Sequence, residues 1–209
     1  MKSTAKQRDP EQTRDNLLKA ATHLIQSRGL ARTTTREIAR EAGCAEGTLY
    51  KHFETKDDLF LAVLVESFPS FEAALELTNK GQTGIAGNLA EIAMAAISFF
   101  QKLLPAGVAL LADATLLARH RKRLRRKDTG PRHLYEAVAK YIAAAQDLGR
   151  INRALDPLAA AALILGPCFQ WVLTRMINGN PPLKLTDEQF CQQLAETLLQ
   201  GFAPSARGQ

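Results

Sequence analysis

The chain of 209 residues is poor in the residues that hold small or metal-dependent proteins together, with three cysteines and a single tryptophan. Cys44, Cys168 and Cys191 are odd in number and lack the spacing of metal ligands, which excludes a disulfide framework and indicates a reducing compartment. Aromatic residues make up only 6% of the chain, while 46% is hydrophobic and rich in alanine and leucine. This composition favours packed helices. The length suffices to bury roughly 70% of the unfolded surface without a metal or a disulfide.

The sequence also lacks targeting signals. The N-terminal stretch MKSTAKQRDPEQTR is polar and charged, and without an apolar core it does not match a secretory signal. No apolar run of about 20 residues is evident, so no membrane-spanning helix is expected. We therefore expect a soluble, cytoplasmic protein.

Groups of residues suited to catalysis or metal binding are missing as well. His120 and His133 have no nearby cysteines or paired carboxylates that would complete a metal site, and His23 is interpreted as a surface or partly buried residue. No glycine-rich phosphate loop and no nucleophile elbow occurs. We predict that the protein is not an enzyme and uses no metal and no cofactor.

Positive charge is concentrated in one segment rather than spread over the chain. The net charge is +6, but residues 119–132 hold eight basic residues against one acid, and the rest of the chain has a net charge of −1. The simpler interpretation is a solvated helix end, since Lys and Arg favour helix C-termini. The alternative is a contact with an anion, whether the DNA backbone, a phosphorylated ligand or an acidic partner.

Residues 31–60 carry the signals of three short helices in a row. Thr34 and Glu37 form a Thr-x-x-Glu capping box that begins one helix, and Gly43 suits its end. A second helix follows after about two residues, turns Leu49 inward and leaves polar residues on its outer face. Two short helices joined by a tight turn, the second with a polar outer face, indicate a helix-turn-helix.

This segment resembles the DNA-binding domain of the tetracycline-repressor (TetR) family of bacterial regulators. The positions that match the family's pattern are Thr33, Thr34, Ile38, Ala39, Ala42, Gly43, Gly47 to Tyr50, His52, Phe53, Lys56 and Leu59. Ala45 stands where the family usually has a serine that caps the recognition helix. Alanine caps less well by about 1 kcal/mol, so we expect this helix to fray in the free protein.

The resemblance implies an all-α protein with an N-terminal three-helix DNA-binding domain at residues 9–55 and a larger helical domain for ligand binding and dimerisation at residues 56–203. It places Thr34 and Lys56 at phosphates and Thr48 at base edges, while Glu46 is a candidate acceptor for a cytosine amino group. The predicted DNA-binding residues are Thr34, Thr35, Arg36, Glu46, Gly47, Thr48, Tyr50, Lys51, His52 and Lys56.

Two later helices are candidates for a dimer interface. By their order in the chain, Pro131 to Leu148 and Pro157 to Ile177 correspond to the helices that form a four-helix interface in the resembled family. The second is apolar nearly all round, which indicates burial against another subunit or, alternatively, in the core of a monomer. The predicted interface residues are Tyr141, Leu165, Phe169 and Val172.

Large apolar side chains in residues 94–111 and 163–176 predict a pocket for a small hydrophobic ligand, with a solid core as the alternative. The predicted lining residues are Met94, Phe99, Phe100, Phe169, Trp171 and Met176. Together these features predict a transcriptional repressor that binds a pseudo-palindromic operator in double-stranded DNA as a homodimer and is released by a small hydrophobic effector. The alternative is a DNA-binding protein of the same fold that a protein partner controls without any small-molecule ligand.

Overall fold

The computed structural model of the chain describes residues 9–30, 32–66, 84–127 and 131–201, and every regular element in these ranges is an α-helix. The all-α fold class is therefore confirmed. The helices are α1 (Pro10–Arg28), α2 (Thr35–Glu41), α3 (Glu46–His52), α4 (Lys56–Glu66), α5 (Gly84–Ala112), α6 (Ala114–Lys127), α7 (Pro131–Asp147), α8 (Pro157–Asn178) and α9 (Asp187–Gln200).

The helix ends follow the capping signals of the sequence. Asp9 accepts a hydrogen bond from the backbone N–H of Glu11 at 3.1 Å and begins α1. Thr34 and Glu37 form both bonds of their capping box at the start of α2. Gly43 ends this helix–turn segment with a φ of 69°, a conformation that only glycine adopts without strain.

The end of α5 differs from the expectation. A proline inside a helical segment usually marks the end of the helix, but α5 continues through Pro105 to Ala112. A proline removes one backbone hydrogen bond, and in this helix the loss does not end the element. The break falls instead at Asp113, whose Oδ1 accepts bonds from the N–H groups of Thr115 and Leu116 at 2.9 and 3.0 Å and caps α6.

The chain divides into two compact units whose boundary falls inside α5. Unit 1 comprises Met1–Ser67 with Lys102–Asp128, and unit 2 comprises Phe68–Gln101 with Thr129–Gln209. The predicted domain limits, 9–55 and 56–203, differ from these units. The reason is packing: Leu59 and Phe60 of α4 and Leu116 of α6 lie in one buried cluster with α1, α2 and α3.

Unit 2 has its own buried core, in which α7 and α8 pack against each other. Trp171 is stacked on Phe190, with ring centroids 4.2 Å apart. Its indole N–H donates to Asp187 Oδ1 at 2.7 Å, and Arg175 Nη1 donates to the same atom at 2.8 Å. Asp187 therefore joins α8 to the first turn of α9.

Among the residues that the structure describes, two helices are long and apolar enough to cross a membrane if length and composition alone are considered, namely α5 and α8. The expectation that no such segment exists is therefore corrected, because α8 contains Pro157 to Thr174 without a charged residue. Core helices of soluble proteins pass the same test. Several residues of α8, including Ile164 and Leu165, are buried within the protomer.

Candidate functional site

The helix-turn-helix is formed by α2 and α3 and the short turn between them. Ile38 and Ala39 of α2 and Leu49 of α3 are buried in the unit 1 core, as is Phe53 directly after α3. The N–H of Cys44 donates to the carbonyl of Ala39 at 2.9 Å, which closes the turn. The buried residues thus hold α3 with one face against the core.

The opposite face of α3 carries the predicted DNA-binding residues. Gly47, Tyr50 and Lys51 are exposed, with 48% of Tyr50 accessible, and Glu46, Thr48 and His52 are half-buried. Thr34 and Arg36 at the start of α2 are also exposed. Each sequence-predicted residue at the start of α2 and on α3 is therefore at least partly accessible to solvent.

A hydrogen-bonded group joins α2 to α3, and the sequence alone did not indicate it. Thr35 Oγ1 donates to Glu46 Oε1 at 2.6 Å and lies 3.3 Å from the hydroxyl of Tyr50. Ala45 gives α3 no side-chain cap, as the sequence predicted. The bond from Thr35 holds the first turn of α3 in place of the missing cap, where the Glu46 carboxylate also complements the helix dipole.

The capping box of α2 is extended by an ion pair with α1. Glu37 accepts from Thr34 Oγ1 at 2.6 Å and from the Thr34 N–H at 3.1 Å. Arg28 Nη1 lies 2.9 Å from Glu37 Oε1. The hydrogen bonds from Thr34, followed by the charge of Arg28, hold the pKa of the Glu37 carboxyl below its usual value. Glu37 is therefore an anchor for the start of α2.

The start of α4 brings together groups from distant parts of the chain. Lys56 Nζ donates to the carbonyl of Leu30 at 3.1 Å. The side chain that is predicted to contact a DNA phosphate therefore lies beside the loop before α2. Arg119 of α6 reaches the same turn: its Nη1 lies 2.7 Å from Asp57 Oδ2 and its Nη2 lies 3.4 Å from Thr55 Oγ1. A separation of more than 60 residues hides this contact from any local pattern.

The aromatic members of the predicted ligand-binding set are packed against other aromatic rings in unit 2. Phe100 makes edge contacts with Phe99 and Phe169, both at 5.4 Å between ring centroids. Trp171 is buried, Met94 is half-buried and Met176 is exposed. A cavity of about 170 Å³ in unit 2 has none of these six residues in its wall. Its lining is Leu89, Ile142, Ile151, Leu155, Asp156, Ala159, Ala160, Leu163, Ile164, Leu198 and Leu199.

The predicted interface residues are mostly turned inward. Tyr141, Leu165 and Val172 are buried within the protomer because α7 and α8 pack against each other, and only Phe169 is exposed. Burial raises the pKa of the Tyr141 hydroxyl, which is hydrogen-bonded to the Asn88 side chain. The exposed face of α8 carries an apolar stripe that shares only Phe169 with the predicted interface. The stripe consists of Leu158, Ala159, Ala162, Leu163, Gly166, Phe169, Met176 and Ile177.

Two of the three cysteines lie outside the helix-turn-helix. Cys168 and Cys191 are buried. Burial raises the pKa of the Cys168 thiol, and burial followed by the charge of Asp187 raises the pKa of Cys191 to about 12. Both thiols therefore stay protonated at neutral pH and serve as packing groups. The described residues contain no cluster of three or more His, Cys, Asp or Glu that could hold a metal ion.

Comparison with known proteins places the helix-turn-helix in a family. Residues 17–63 match the family described as bacterial regulatory proteins, tetR family. The chain is 44% identical over 55 residues to the HTH-type transcriptional repressor KstR2 of Mycolicibacterium smegmatis, which covers 26% of this chain and 27% of that protein. It is 28% identical over 96 residues to the nucleoid occlusion factor SlmA of Mannheimia succiniciproducens, covering 46% and 44% of the two chains.

The similarity of the whole chain is one of fold. The transcriptional regulator FadR of Bacillus subtilis in complex with stearoyl-CoA superposes with a TM-score of 0.64 and 20% sequence identity, covering 90% of this chain and 99% of that chain. By sequence, in contrast, the chain spans less than half the length of the curated relatives KstR2 and SlmA. The sequence match therefore concerns the DNA-binding segment, and the remaining helices share only their arrangement.

Proposed function

We propose that the chain is a DNA-binding transcriptional regulator of the TetR family that acts as a repressor, because residues 17–63 match that family and 55 residues are 44% identical to the repressor KstR2. The observation that carries this proposal is the face of α3, which is held by Leu49 against the core and presents Thr48, Tyr50 and Lys51 outward. A short helix that is fixed on one side and polar on the other can enter the major groove of DNA.

The roles within this face follow from position. Thr34 and Arg36 at the start of α2, and Lys56 at the start of α4, would contact phosphates. Thr48 on α3 would face base edges. Glu46 keeps Oε2 for a cytosine amino group while its Oε1 accepts from Thr35, so its carboxylate is oriented before DNA arrives.

Replacement of Lys56 by alanine tests the DNA-binding role. The variant should bind all duplexes more weakly, because one phosphate contact is lost in each protomer. The plot of log Kobs against log salt should become shallower by about two for a dimer, at about 0.9 per phosphate. The measurement is a titration of a labelled duplex followed by fluorescence anisotropy at several salt concentrations.

Lys19→Ala is the matched control for Lys56→Ala. Lys19 is an exposed lysine of α1 that lines a groove with Gln26 and Lys102 rather than the face of α3. Its removal changes the net charge equally and should leave the slope unchanged. Equal slopes for Lys56→Ala and the unmodified protein would remove Lys56 from the interface.

The regulator would act as a homodimer on a pseudo-palindromic operator, since two-fold symmetric sites match two-fold symmetric proteins. We place the interface on the exposed apolar stripe of α8. Leu163 is 59% exposed and Ile177 is 72% exposed. A stripe of this length on one helix of a soluble protein indicates contact with a partner surface. Leu165, by contrast, is 1% exposed and has little surface to offer a second subunit.

A small hydrophobic effector would release the operator, and the unit 2 cavity is our candidate for its site. The wall is almost entirely aliphatic, and its polar member, Asp156, is engaged as the N-cap of α8. Such a wall suits an alkyl or acyl chain better than a flat aromatic compound. The fold shared with a FadR that was solved with stearoyl-CoA supports this class of ligand. A volume of about 170 Å³ requires the cavity to widen, or the ligand to enter it only in part.

Filling the cavity tests the effector site. Fatty acids and acyl-CoA esters of increasing chain length should raise the melting temperature of the unmodified protein, since a ligand at 100 times its Kd adds about 2.7 kcal/mol. Ala160→Phe places a ring in the cavity and should abolish both the thermal shift and the release of DNA. Ala144→Phe, at an exposed position of α7, is the control. A thermal shift that survives in Ala160→Phe would place the ligand elsewhere, for example beside the predicted residues Phe100 and Trp171.

A second candidate function is control by a protein partner without any ligand. Two observations favour it: the cavity is below the roughly 300–1,000 Å³ of ordinary ligand sites, and the match to SlmA is longer than the match to KstR2. No stabilisation by any lipid or aromatic compound, together with intact DNA binding, would favour this second function.

A further inference from the structure

Most of the basic segment lies in the same compact unit as the helix-turn-helix. Seven of its eight basic residues are on α6, which belongs to unit 1 although more than 60 residues separate it from α3, and the eighth, Arg132, is on α7 in unit 2. Leu116 on the inner side of α6 is buried in the unit 1 core. The concentration of charge seen in the sequence is therefore a property of the DNA-binding unit.

One cation of α6 anchors this helix beside the start of α4. Arg119 forms the close ion pair with Asp57 and a longer one with Asp58 at 3.6 Å, and it reaches Thr55. Thr55 directly precedes Lys56, which we propose to contact a DNA phosphate. Arg119 thus fixes α6 next to the end of α4 that the proposed function places against DNA.

Three other cations of α6 form an exposed face. Arg121, Lys122 and Arg125 fall within about 100° of one another around a helix of 3.6 residues per turn, on the side opposite Leu116. All three are exposed, and none of them has an ion pair with another residue in the part of the chain that the structure describes. Like charges three and four positions apart repel each other on a helix. A surface of this kind is stabilised when an anion is present.

We propose that Arg121, Lys122 and Arg125 contact backbone phosphates of the DNA that flanks the bases read by α3. This inference rests on the proposed function. Two observations favour DNA over an acidic protein as the partner: α6 belongs to the same unit as α3, and Arg119 of α6 contacts Thr55 beside Lys56. When α3 binds DNA, the flanking phosphates come to this unit at high local concentration. Phosphate contacts carry no base preference, so the surface would add affinity and not sequence specificity.

The test is the salt dependence of binding to a 30-base-pair duplex of mixed sequence, measured by fluorescence anisotropy. The triple variant Arg121→Gln, Lys122→Gln, Arg125→Gln should reduce the slope of log Kobs against log salt by about 2.7 per protomer, at about 0.9 per phosphate. Between 50 and 200 mM salt, binding of the unmodified protein should therefore weaken about 40-fold more per protomer than binding of the variant.

The control triple variant Lys140→Gln, Arg150→Gln, Lys184→Gln removes the same charge from exposed positions of unit 2. It should keep the salt slope of the unmodified protein, and circular dichroism should show that both triple variants melt at the same temperature.

If the α6 variant keeps the salt slope of the control while Lys56→Ala lowers it, the inference is overturned and the proposed function stands. If the unmodified protein binds no duplex, both are overturned. A slope that falls equally in both triple variants shows an effect of net charge alone and also overturns the inference.

Discussion

Gly166→Glu is expected to split the protein into monomers and to abolish cooperative binding to operator DNA, without unfolding the protomer. Gly166 is exposed at the centre of the apolar stripe of α8, and a Cβ atom placed there meets nothing within 4 Å. In a dimer that uses this stripe, the new carboxylate would be removed from water without a partner. The cost is several kcal/mol, and about 3 kcal/mol corresponds to a more than 100-fold weaker dimer.

The same substitution should leave the isolated protomer folded. Glycine in a helix interior is less favourable than an ordinary helix former by several tenths of a kcal/mol, and this gain offsets part of the strain between the new Cβ and the Cδ of the following Pro167. Leu165→Glu would be a poor test in comparison, because it buries a charge in the protomer core and unfolds the chain.

Gly107→Glu is the matched control for the dimer experiment. It makes the same exchange in α5, at a position that also has open space around the new Cβ. Sedimentation velocity at several protein concentrations distinguishes monomer from dimer. A Gly166→Glu protein that sediments as a dimer with intact operator binding would show that the interface lies on another surface.

Asp187→Ala is expected to lower the free energy of unfolding by about 2–3 kcal/mol. The carboxylate accepts from Trp171 and Arg175, and Gln101 Nε2 donates to it at 3.3 Å. Hydrogen bonds to a charged group contribute about 1.5–3 kcal/mol, and the partners left behind lose their acceptor. Because Asp187 and Arg175 retain 22% and 27% of their side-chain exposure, water compensates in part.

The contribution of Asp187 should also depend on pH. Burial acts to raise the pKa of this carboxyl, but the hydrogen bonds from Trp171 and Arg175 outweigh it and hold the pKa below its usual 3.8. A folded-state pKa below the unfolded value means that the stabilisation is present above the unfolded pKa, and it is lost as the pH falls through the folded value. The difference in stability between the unmodified protein and Asp187→Asn should therefore be large at pH 6 and shrink below about pH 4.

Urea unfolding at both pH values measures this effect. Asp147→Ala is the control, because Asp147 is 86% exposed and its nearest cation, Arg153, is 4.0 Å away. Exposed pairs of this kind contribute at most about 1 kcal/mol. If Asp187→Ala is as stable as the control, hydrogen bonds from Trp171 and Arg175 to water replace those to Asp187 without a loss of stability.

Local signals were read correctly from the sequence wherever a residue and its partner lie within one helical turn. The capping box of Thr34 and Glu37 acts over three residues, so its hydrogen bonds are encoded in the spacing of the residues themselves. The buried positions of α1, α2 and α3 follow from helical periodicity in the same way. The predicted helix-turn-helix and its outward residues were therefore accessible without a structure.

Sequence patterns were insufficient where two conformations or two orientations of a helix are equally compatible with the local sequence. A proline such as Pro105 favours the end of a helix, yet α5 runs through it, where its neighbours Leu104 and Ala106 are buried. A helix that is apolar on all sides, such as α8, gives no periodic signal for which side turns inward. The sequence therefore pointed to Leu165 and Val172 as interface residues, whereas both lie inside the protomer.

The sequence by itself determined the helical class, the helix-turn-helix, the capping of its helices and the concentration of positive charge in one segment. Tertiary structure alone decided that α6 joins unit 1, that Arg119 meets Asp57, that Thr35 bonds to Glu46 and that Asp187 joins α8 to α9. The physical reason is range. A capping bond or a helical stripe depends on residues a few positions apart, whereas these contacts exist only after the burial of apolar surface has brought distant segments together.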